Sequence, residues 1–343
     1  MTKTHIYTQS QILGEPTPRD KTLLKIRADK DSYRLFSGFK PKQQENILAF
    51  LTGERGLEVL LDSFFKKLFD PETNTARICS LLSALLEHEV ADFTVLTREG
   101  EQMYEKGSLV IMDILVRLTD GSLVDVEMQK IGYRFPSQRS TCYASDLVMR
   151  QYNALRAEHG DRFNYRMIRP VNIFVIIESP DNEFKISPEY LHKRQVSYSS
   201  GIELPETVNI TYLTLDRFKK SIDNVSKPLD KWLAFFTYKE PADIISLVNS
   251  FPEFLPLYHD IAEFRKDPKE AISMYSEALA VLDHNTELYM IEEKQQEIDA
   301  LRRELHASDQ EKDSLRQELQ VSDQEKDSLR QELAQYKAKF GKL

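Results

Sequence analysis

The dipeptide Asp120-Gly121 lies between two runs rich in Val, Ile and Leu and constrains the middle of this chain more than any other feature. A turn dipeptide flanked in this way is the strongest short-range signal for a β-hairpin. The register of that hairpin decides what it carries. With a two-residue turn, Ile114 faces Glu127 and Val116 faces Asp125, so both faces mix apolar and charged groups. With a three-residue loop, Thr119-Asp120-Gly121, and Gly121 in the left-handed position of a G1 bulge, the pairing shifts by one residue. Met112, Ile114, Val116, Val124, Val126 and Met128 then share one face, and Asp113, Arg117, Asp125, Glu127 and Gln129 the other. A one-residue slip turns every side chain over, so the register that segregates polar from apolar is the expected one.

That register sets Asp113 across from Glu127, with β-carbons roughly 5 Å apart on the solvent side of the sheet. Two carboxylates that close repel unless a proton or a cation sits between them. Oxygen donors beside the amide of Gln129, with no thiolate or imidazole nearby, suit Mg²⁺ or Mn²⁺ better than zinc. Spacing alone favours the plainer reading, a solvated acidic surface.

Net charge is -9, which argues against a protein coated for nonspecific nucleic-acid binding. The segment from Lys130 to Arg169 nevertheless carries eight basic residues against three acidic ones, directly after the acidic strand. It reads either as a phosphate-binding surface or as a helix with an ordinary charged face. Cys79 and Cys142 lack metal-ligand spacing, and two cysteines in 343 residues fit a reducing, cytoplasmic compartment. The apolar run Ile173 to Ile177 is a buried strand, too short to span a bilayer, and no signal peptide opens the chain, so no membrane partner is expected.

Residues 1–38 show little periodicity and read as a loosely ordered arm. Pro41 starts a helix that stops at Gly53. The next helix is expected from Gly56 to Phe69, with Glu58 and Asp62 four apart on one side. A helix over Thr75 to Glu87 and a strand over Asp92 to Thr97 precede the hairpin, and a helix bearing Arg139, Tyr143 and Asp146 on one face follows it. Further strands are expected at 171–177 and 208–215, then an amphipathic helix over Leu229 to Phe236, whose aromatics read as core, and short helices to about Leu282. The expected organisation is an arm and lead helix (1–55), an α/β domain (56–240), a helical segment (241–287) and a tail (288–343).

The tail repeats SDQEKDSLRQEL without change at Ser308 to Leu319 and Ser322 to Leu333, an offset of two heptads. Ile291, Ile298, Leu301, Leu305, Leu315, Leu319, Leu329, Leu333, Tyr336 and Phe340 fall on one seam, interrupted by Ser308 with Lys312 and Ser322 with Lys326. A 3.5-residue repeat held this long favours a self-associating coiled coil, most simply a dimer, over a solitary charged helix.

Several stretches together, FKPKQQENILAFLTGERG, LLDSFFKKLFDPE, VEMQKIGYRFPSQRS and CYASDLVMRQY, resemble the PD-(D/E)XK nuclease family transposases, relatives of the recombination-promoting nucleases. The resemblance implies a restriction-endonuclease-like αβββαβ core with a helical C-terminal region and coiled-coil tail, and a Mg²⁺- or Mn²⁺-dependent DNA endonuclease acting in recombination or transposition. It implies metal ligation by Asp113 and Glu127, with Asp62 as a further acidic ligand or, equally, the partner of Lys66. The family's lysine two residues after the Glu is here Gln129, which leaves it only the capacity to orient a water by hydrogen bonding. Lys130 should point to the opposite face. Arg139 and Tyr143 match recurrent family positions, and with Arg134 and Lys130 they are the expected DNA contacts; an ion pair of Arg139 with Asp146 or with a hairpin carboxylate stands beside that reading. The missing lysine and the acidic balance also admit a catalytically inactive nuclease-fold scaffold that binds partners or DNA through its coiled coil.

Overall fold

The computed structural model describes residues 6–96, 113–132, 136–180, 182–221 and 225–341. Three short helices open the chain where a loose arm is expected: α1 (Gln9–Leu13), α2 (Arg19–Ala28) and α3 (Lys30–Gly38). Each contributes only one or two large apolar side chains, too few to give a periodic pattern. Those few, Ile12, Leu13, Ile26 and Phe36, are nonetheless buried in the main core. The Asp29 side chain caps α3 by accepting from the Ser32 amide at 2.9 Å.

Helix α4 (Pro41–Thr52) begins at its proline and ends on Gly53 in the left-handed conformation, as its sequence requires. Helix α5 runs Asp62–Leu68, six residues later than the apolar stripe suggests. The reason lies in Leu57, Val59, Leu60 and Leu61, which are all buried and so cannot share one helical face. Gly56 anchors this turn by donating to the Lys239 carbonyl at 2.7 Å. A Cβ on Gly56 would stand 2.6 Å from Ile244 Cδ1 and 3.2 Å from the Lys239 carbonyl oxygen, so a side chain here would have to displace its neighbours. There follow α6 (Thr75–Leu86), β1 (Phe93–Val95), β2 (Ile114–Leu118), β3 (Leu123–Ile131), α7 (Pro136–His159), β4 (Val171–Ser179), α8 (Asn182–Lys185), β5 (Leu191–Lys193), β6 (Val208–Thr214) and α9 (Leu215–Ser221). The chain then continues through α10 (Pro228–Thr237), α11 (Pro241–Ser250), α12 (Leu255–Lys266) and α13 (Pro268–Phe340).

The strands form one mixed six-stranded sheet in the order β1-β2-β3-β4-β6-β5. β1, β2 and β3 pair antiparallel, β3, β4 and β6 parallel, and β5 lies antiparallel on the far edge. The β2–β3 turn takes the bulged form. The Gly121 amide donates to the Leu118 carbonyl and the Leu118 amide to the Ser122 carbonyl, both at 2.9 Å, and Gly121 has φ +87°. Ile114 accordingly pairs with Val126 and Val116 with Val124.

On one face of the sheet, Ile114, Val116, Val124, Val126, Phe174, Ile176 and Leu213 join a large core with α4, α5, α6, α10, α11, α12 and the start of α13. Trp232 is buried there among Phe69, Phe235, Phe236 and Phe254. The other face meets α7 through Tyr143, Ala144 and Leu147, which pack on Leu115, Leu123 and the β4 residues Val171, Ile173, Val175 and Ile177. Parallel pairing of β3 with β4 demands a crossover between them, and α7 is that crossover.

The chain divides into two compact units, Met1–Thr286 and Glu287–Leu343. The expected arm, the α/β domain and the helices of 241–287 share a single core within the first. In the second, the leucines of the tail are exposed along the helix. No described helix is long and apolar enough to cross a membrane.

Replacing Gly121 with Ala forces an L side chain to positive φ and brings its Cβ to 3.1 Å from Arg169 Cγ. A loss of about 1–2 kcal/mol is expected, equivalent to a drop of about 2–4 °C in Tm for a unit of this size. Gly121→Asn should lose less, because Asn tolerates the left-handed region. Thermal melts of the two variants check this, and equal melting of Gly121→Ala and the parent would remove the bulge as the determinant of register.

Candidate active site

Glu127 lies near the middle of β3, and alternation along that strand places Leu123, Asp125, Glu127, Gln129 and Ile131 on the α7 face. Asp113 immediately precedes β2, and the observed register continued by one pair brings it opposite Glu127. The Asp113 carboxylate accepts the Met128 amide at 2.7 Å, which pins its side chain against the carboxyl-bearing segment of β3.

The face is not solvated. Asp125 is 0% exposed, Glu127 5% and Gln129 9%, while Asp113 is half-buried. The solvent-side expectation fails because Leu115 and Leu123 alternate with the acidic residues and give α7 an apolar surface to cover. Carboxylates enclosed in this way are held off ionisation by lost hydration unless donors or a cation compensate them.

Helix α7 buries Ser140 and Tyr143 against this face, and Arg139 lies half-buried beside Tyr143. Tyr143 is buried, so its phenol reaches Arg139 rather than a nucleic acid: the guanidinium donates to Tyr143 Oη at 3.0 Å and lies 5.9 Å from its ring centroid. Asp146, one turn further along, pairs with Arg150 at 2.7 Å. Arg134 lies outside the described residues.

Two expected site residues lie elsewhere. Lys130 points to the opposite side of β3, where it bonds Glu58 and pairs with Glu178 at 3.2 Å; Lys239 bonds Glu178 in turn. Its ammonium is thereby committed to the interior of the fold and is not presented to a phosphate backbone. Asp62, in the first turn of α5, pairs with Lys66 at 2.8 Å. Among the described residues no three Asp, Glu, His or Cys side chains are grouped so as to hold a metal ion, so Asp62 does not complete a set with Asp113 and Glu127. Two carboxylates supplemented by water and substrate oxygens remain a donor set that suits Mg²⁺ or Mn²⁺.

Asp125, which the hairpin register puts on this face, is joined there by Ser140 and Tyr212, which the sequence did not single out. Tyr212 stands in the row Glu127, Val175, Tyr212 that crosses three strands, and burial pushes its phenol above the ordinary value. Only the long-range strand pairing reveals that row.

A six-stranded mixed sheet with helices on both faces is consistent with a PD-(D/E)XK nuclease fold. The family model for the PD-(D/E)XK nuclease family transposase matches residues 59–294, well over half of the chain, and the chain belongs to that family. No significant match is found among curated proteins or solved structures.

The ion cluster behind β3 gives a pH signature. Burial opposes ionisation of Glu58 most strongly, yet the charges of Lys130, Lys239 and Arg55 and the Lys130 hydrogen bond outweigh it and hold the carboxyl below its ordinary 4.5. Burial likewise opposes the Lys130 charge, and Glu58 with Glu178 outweighs it, raising Lys130 above 10.5. A depressed carboxyl contributes stability that is present above the unfolded value and lost as pH falls through the folded one; the raised lysine contributes below 10.5 and loses its part at higher pH. Lys130→Met should cost about 2–3 kcal/mol at neutral pH, because it leaves two buried carboxylates with one lysine. The Tm gap from the parent should narrow as pH falls below 4.5. Thermal melts between pH 4 and 7 check this, and a gap that widens in acid contradicts it.

Proposed function

We propose that this chain is a metal-dependent DNA endonuclease of the transposase type, hydrolysing phosphodiester bonds in recombination or transposition. The observation that carries the reading is the approach of the Asp113 carboxylate to β3, where it accepts the Met128 amide at 2.7 Å next to Glu127, a residue the fold buries. Membership of a nuclease family supports DNA as the substrate.

Asp113 and Glu127 would hold Mg²⁺ or Mn²⁺, which when bound lowers the pKa of a coordinated water and neutralises charge on the scissile phosphate. The chain's own groups do the positioning. The Met128 amide fixes the Asp113 carboxylate, so one ligand is oriented before any cation arrives. The Gln129 amide, on the Glu127 face, orients the attacking water by hydrogen bonding; it has no basic nitrogen with which to take the proton. Arg139, steadied by Tyr143, would meet the scissile or adjacent phosphate. The arginines further along α7 extend the positive surface for the backbone. Self-association through the tail would hold two such sites at a fixed separation, useful for cutting two strands or two ends.

One observation favours a second reading, a nuclease fold kept for binding alone. No lysine stands among the β3 residues on the Glu127 face, and Lys130 is neutralised behind the strand.

Plasmid nicking with Mg²⁺ or Mn²⁺ tests the choice. Wild type should nick, and Asp113→Ala or Glu127→Ala should lower the rate by at least about 100-fold, roughly 2.7 kcal/mol of barrier. Equal rates in wild type and both variants would remove the proposal. Mn²⁺ should also raise Tm in a manner lost in Glu127→Ala; stabilisation without nicking would select the binding-only reading.

A further inference from the structure

Six tail leucines, Leu301, Leu305, Leu315, Leu319, Leu329 and Leu333, are each 55–64% exposed along one helix. They alternate at spacings of four and ten residues and so belong to one 3.5-residue seam, with Leu305, Leu319 and Leu333 at its a positions and Leu301, Leu315 and Leu329 at its d positions. The residues flanking that seam carry a second pattern. Every g position from 297 to 332 is glutamate: Glu297, Glu304, Glu311, Glu318, Glu325 and Glu332.

Within the helix these glutamates have almost nothing to pair with. Glu297 meets Lys294 at 2.6 Å. For the other five, the residues three and four away on either side are Ala, Ser, Leu, Val, Gln or Tyr. A solitary charged helix depends on opposite charges at those spacings, and this row lacks them. The basic residues of the tail instead pair locally with aspartates, as Arg316 does with Asp313 and Arg330 with Asp327, both at 3.3 Å.

We infer that the tail pairs with a second copy of this chain as a parallel, in-register, two-stranded coiled coil. In a parallel pair each g residue faces the partner's e residue five positions on. Glu297, Glu311, Glu325 and Glu332 then face the partner's Arg302, the partner's Arg316, the partner's Arg330 and the partner's Lys337. Two contacts are of like charge, Glu304 with the partner's Asp309 and Glu318 with the partner's Asp323. Each precedes a seam lysine, Lys312 or Lys326, which brings a compensating cation to the same part of the interface. An antiparallel pair would set g against g, glutamate against glutamate along the whole rod, so charge selects the parallel form.

Strand number follows from the seam. Isoleucine at the a positions 291 and 298, with Leu301 at the d position after Ile298, favours two helices, and a lysine at a keeps its ammonium in water most readily in a dimer. The orientation has a consequence for the ends of this unit. In the parallel form the two Glu287 ends meet, whereas an antiparallel rod would separate them by about 80 Å, at 1.5 Å per residue. The inference rests on the tail's self-association and not on the nuclease reading.

Serine-to-cysteine variants of the full chain test it, in a Cys142→Ser background with Cys79 left buried. Ser308 and Ser322 are both d positions, and each should form a disulfide-linked dimer with its own kind on mild oxidation if the helices are parallel and in register. Cross-linking only when Ser308→Cys is mixed with Lys326→Cys, a d position against an a position, would show an antiparallel pair and overturn the inference. So would a monomeric mass by light scattering at 50-fold dilutions around the micromolar range, on the order of dimer affinities of this class. As a second arm, Glu297→Lys, Glu311→Lys and Glu325→Lys together should weaken the dimer at least tenfold, and mixing with a chain carrying Arg302→Glu, Arg316→Glu and Arg330→Glu should restore it. Tighter self-association of the lysine variant alone would again indicate the antiparallel form. None of these outcomes depends on nicking activity, so failure here and failure of the nuclease reading are separable.

Discussion

One residue in the left-handed conformation governs what this protein can do. Gly121 adds a residue to the hairpin turn and thereby sets Ile114 opposite Val126. A slip by one would carry Asp125 and Glu127 into the core that now receives Val124 and Val126, among Phe174, Ile176 and the helical layer. Burying an uncompensated carboxylate in such surroundings costs several kcal/mol, so the alternative register is closed by the core as well as by the turn. The glycine and the hydrophobic pattern are consistent with each other, which is what gives the hairpin one structure.

The opposite face bears a cost that packing does not explain. Helix α7 must cover it because the parallel step from β3 to β4 needs a crossover, and Leu115, Leu123 and the β4 residues supply the apolar contact. Asp125, Glu127 and Gln129 are buried along with them. A face evolved for stability alone would carry apolar residues at those three positions, as β4 does with Ile173, Val175 and Ile177. Carboxyl groups retained where hydration is lost are the kind of local conflict that the proposed function would account for.

Local rules made much of this legible. The hairpin register, the start of α4 at Pro41 and its stop at Gly53, the central strands and the buried aromatic helix α10 all follow from turn chemistry and periodicity. What escaped was long-range. Leu57 to Leu61 look like the first turn of a helix, and only the approach of Gly56 to Ile244 and Lys239 from a distant part of the chain explains why they are not. The helices of residues 9–38 are anchored by one or two apolar residues each, such as Ile12 with Leu13, Ile26 and Phe36. The burial of the acidic face was within reach of the sequence, since a strand, a long helix and a second strand rich in Val and Ile imply a parallel crossover with the helix on one face. The alternation of Leu115 and Leu123 with the acidic residues was the sign that this face was the covered one.

Gln129 and Lys130 are adjacent, and it is tempting to regard the family's missing lysine as displaced by one position. The two sites are not interchangeable. Lys130 joins β3 to the turn at Glu58 and to β4 at Glu178, and Lys239 extends the cluster to the loop before α11. Four parts of the first unit meet there through two carboxylates and two ammonium groups in a mostly buried setting. Moving the lysine to position 129 would give Glu127 a cationic neighbour and leave Glu58 and Glu178 sharing a single one, with the penalty of an unpaired buried charge. A lysine at both positions would avoid that loss, yet it would bury a second ammonium on the face that α7 covers. The amide at 129 and the lysine at 130 thus answer to different surroundings, one on the face that α7 covers and the other in the ion cluster behind β3.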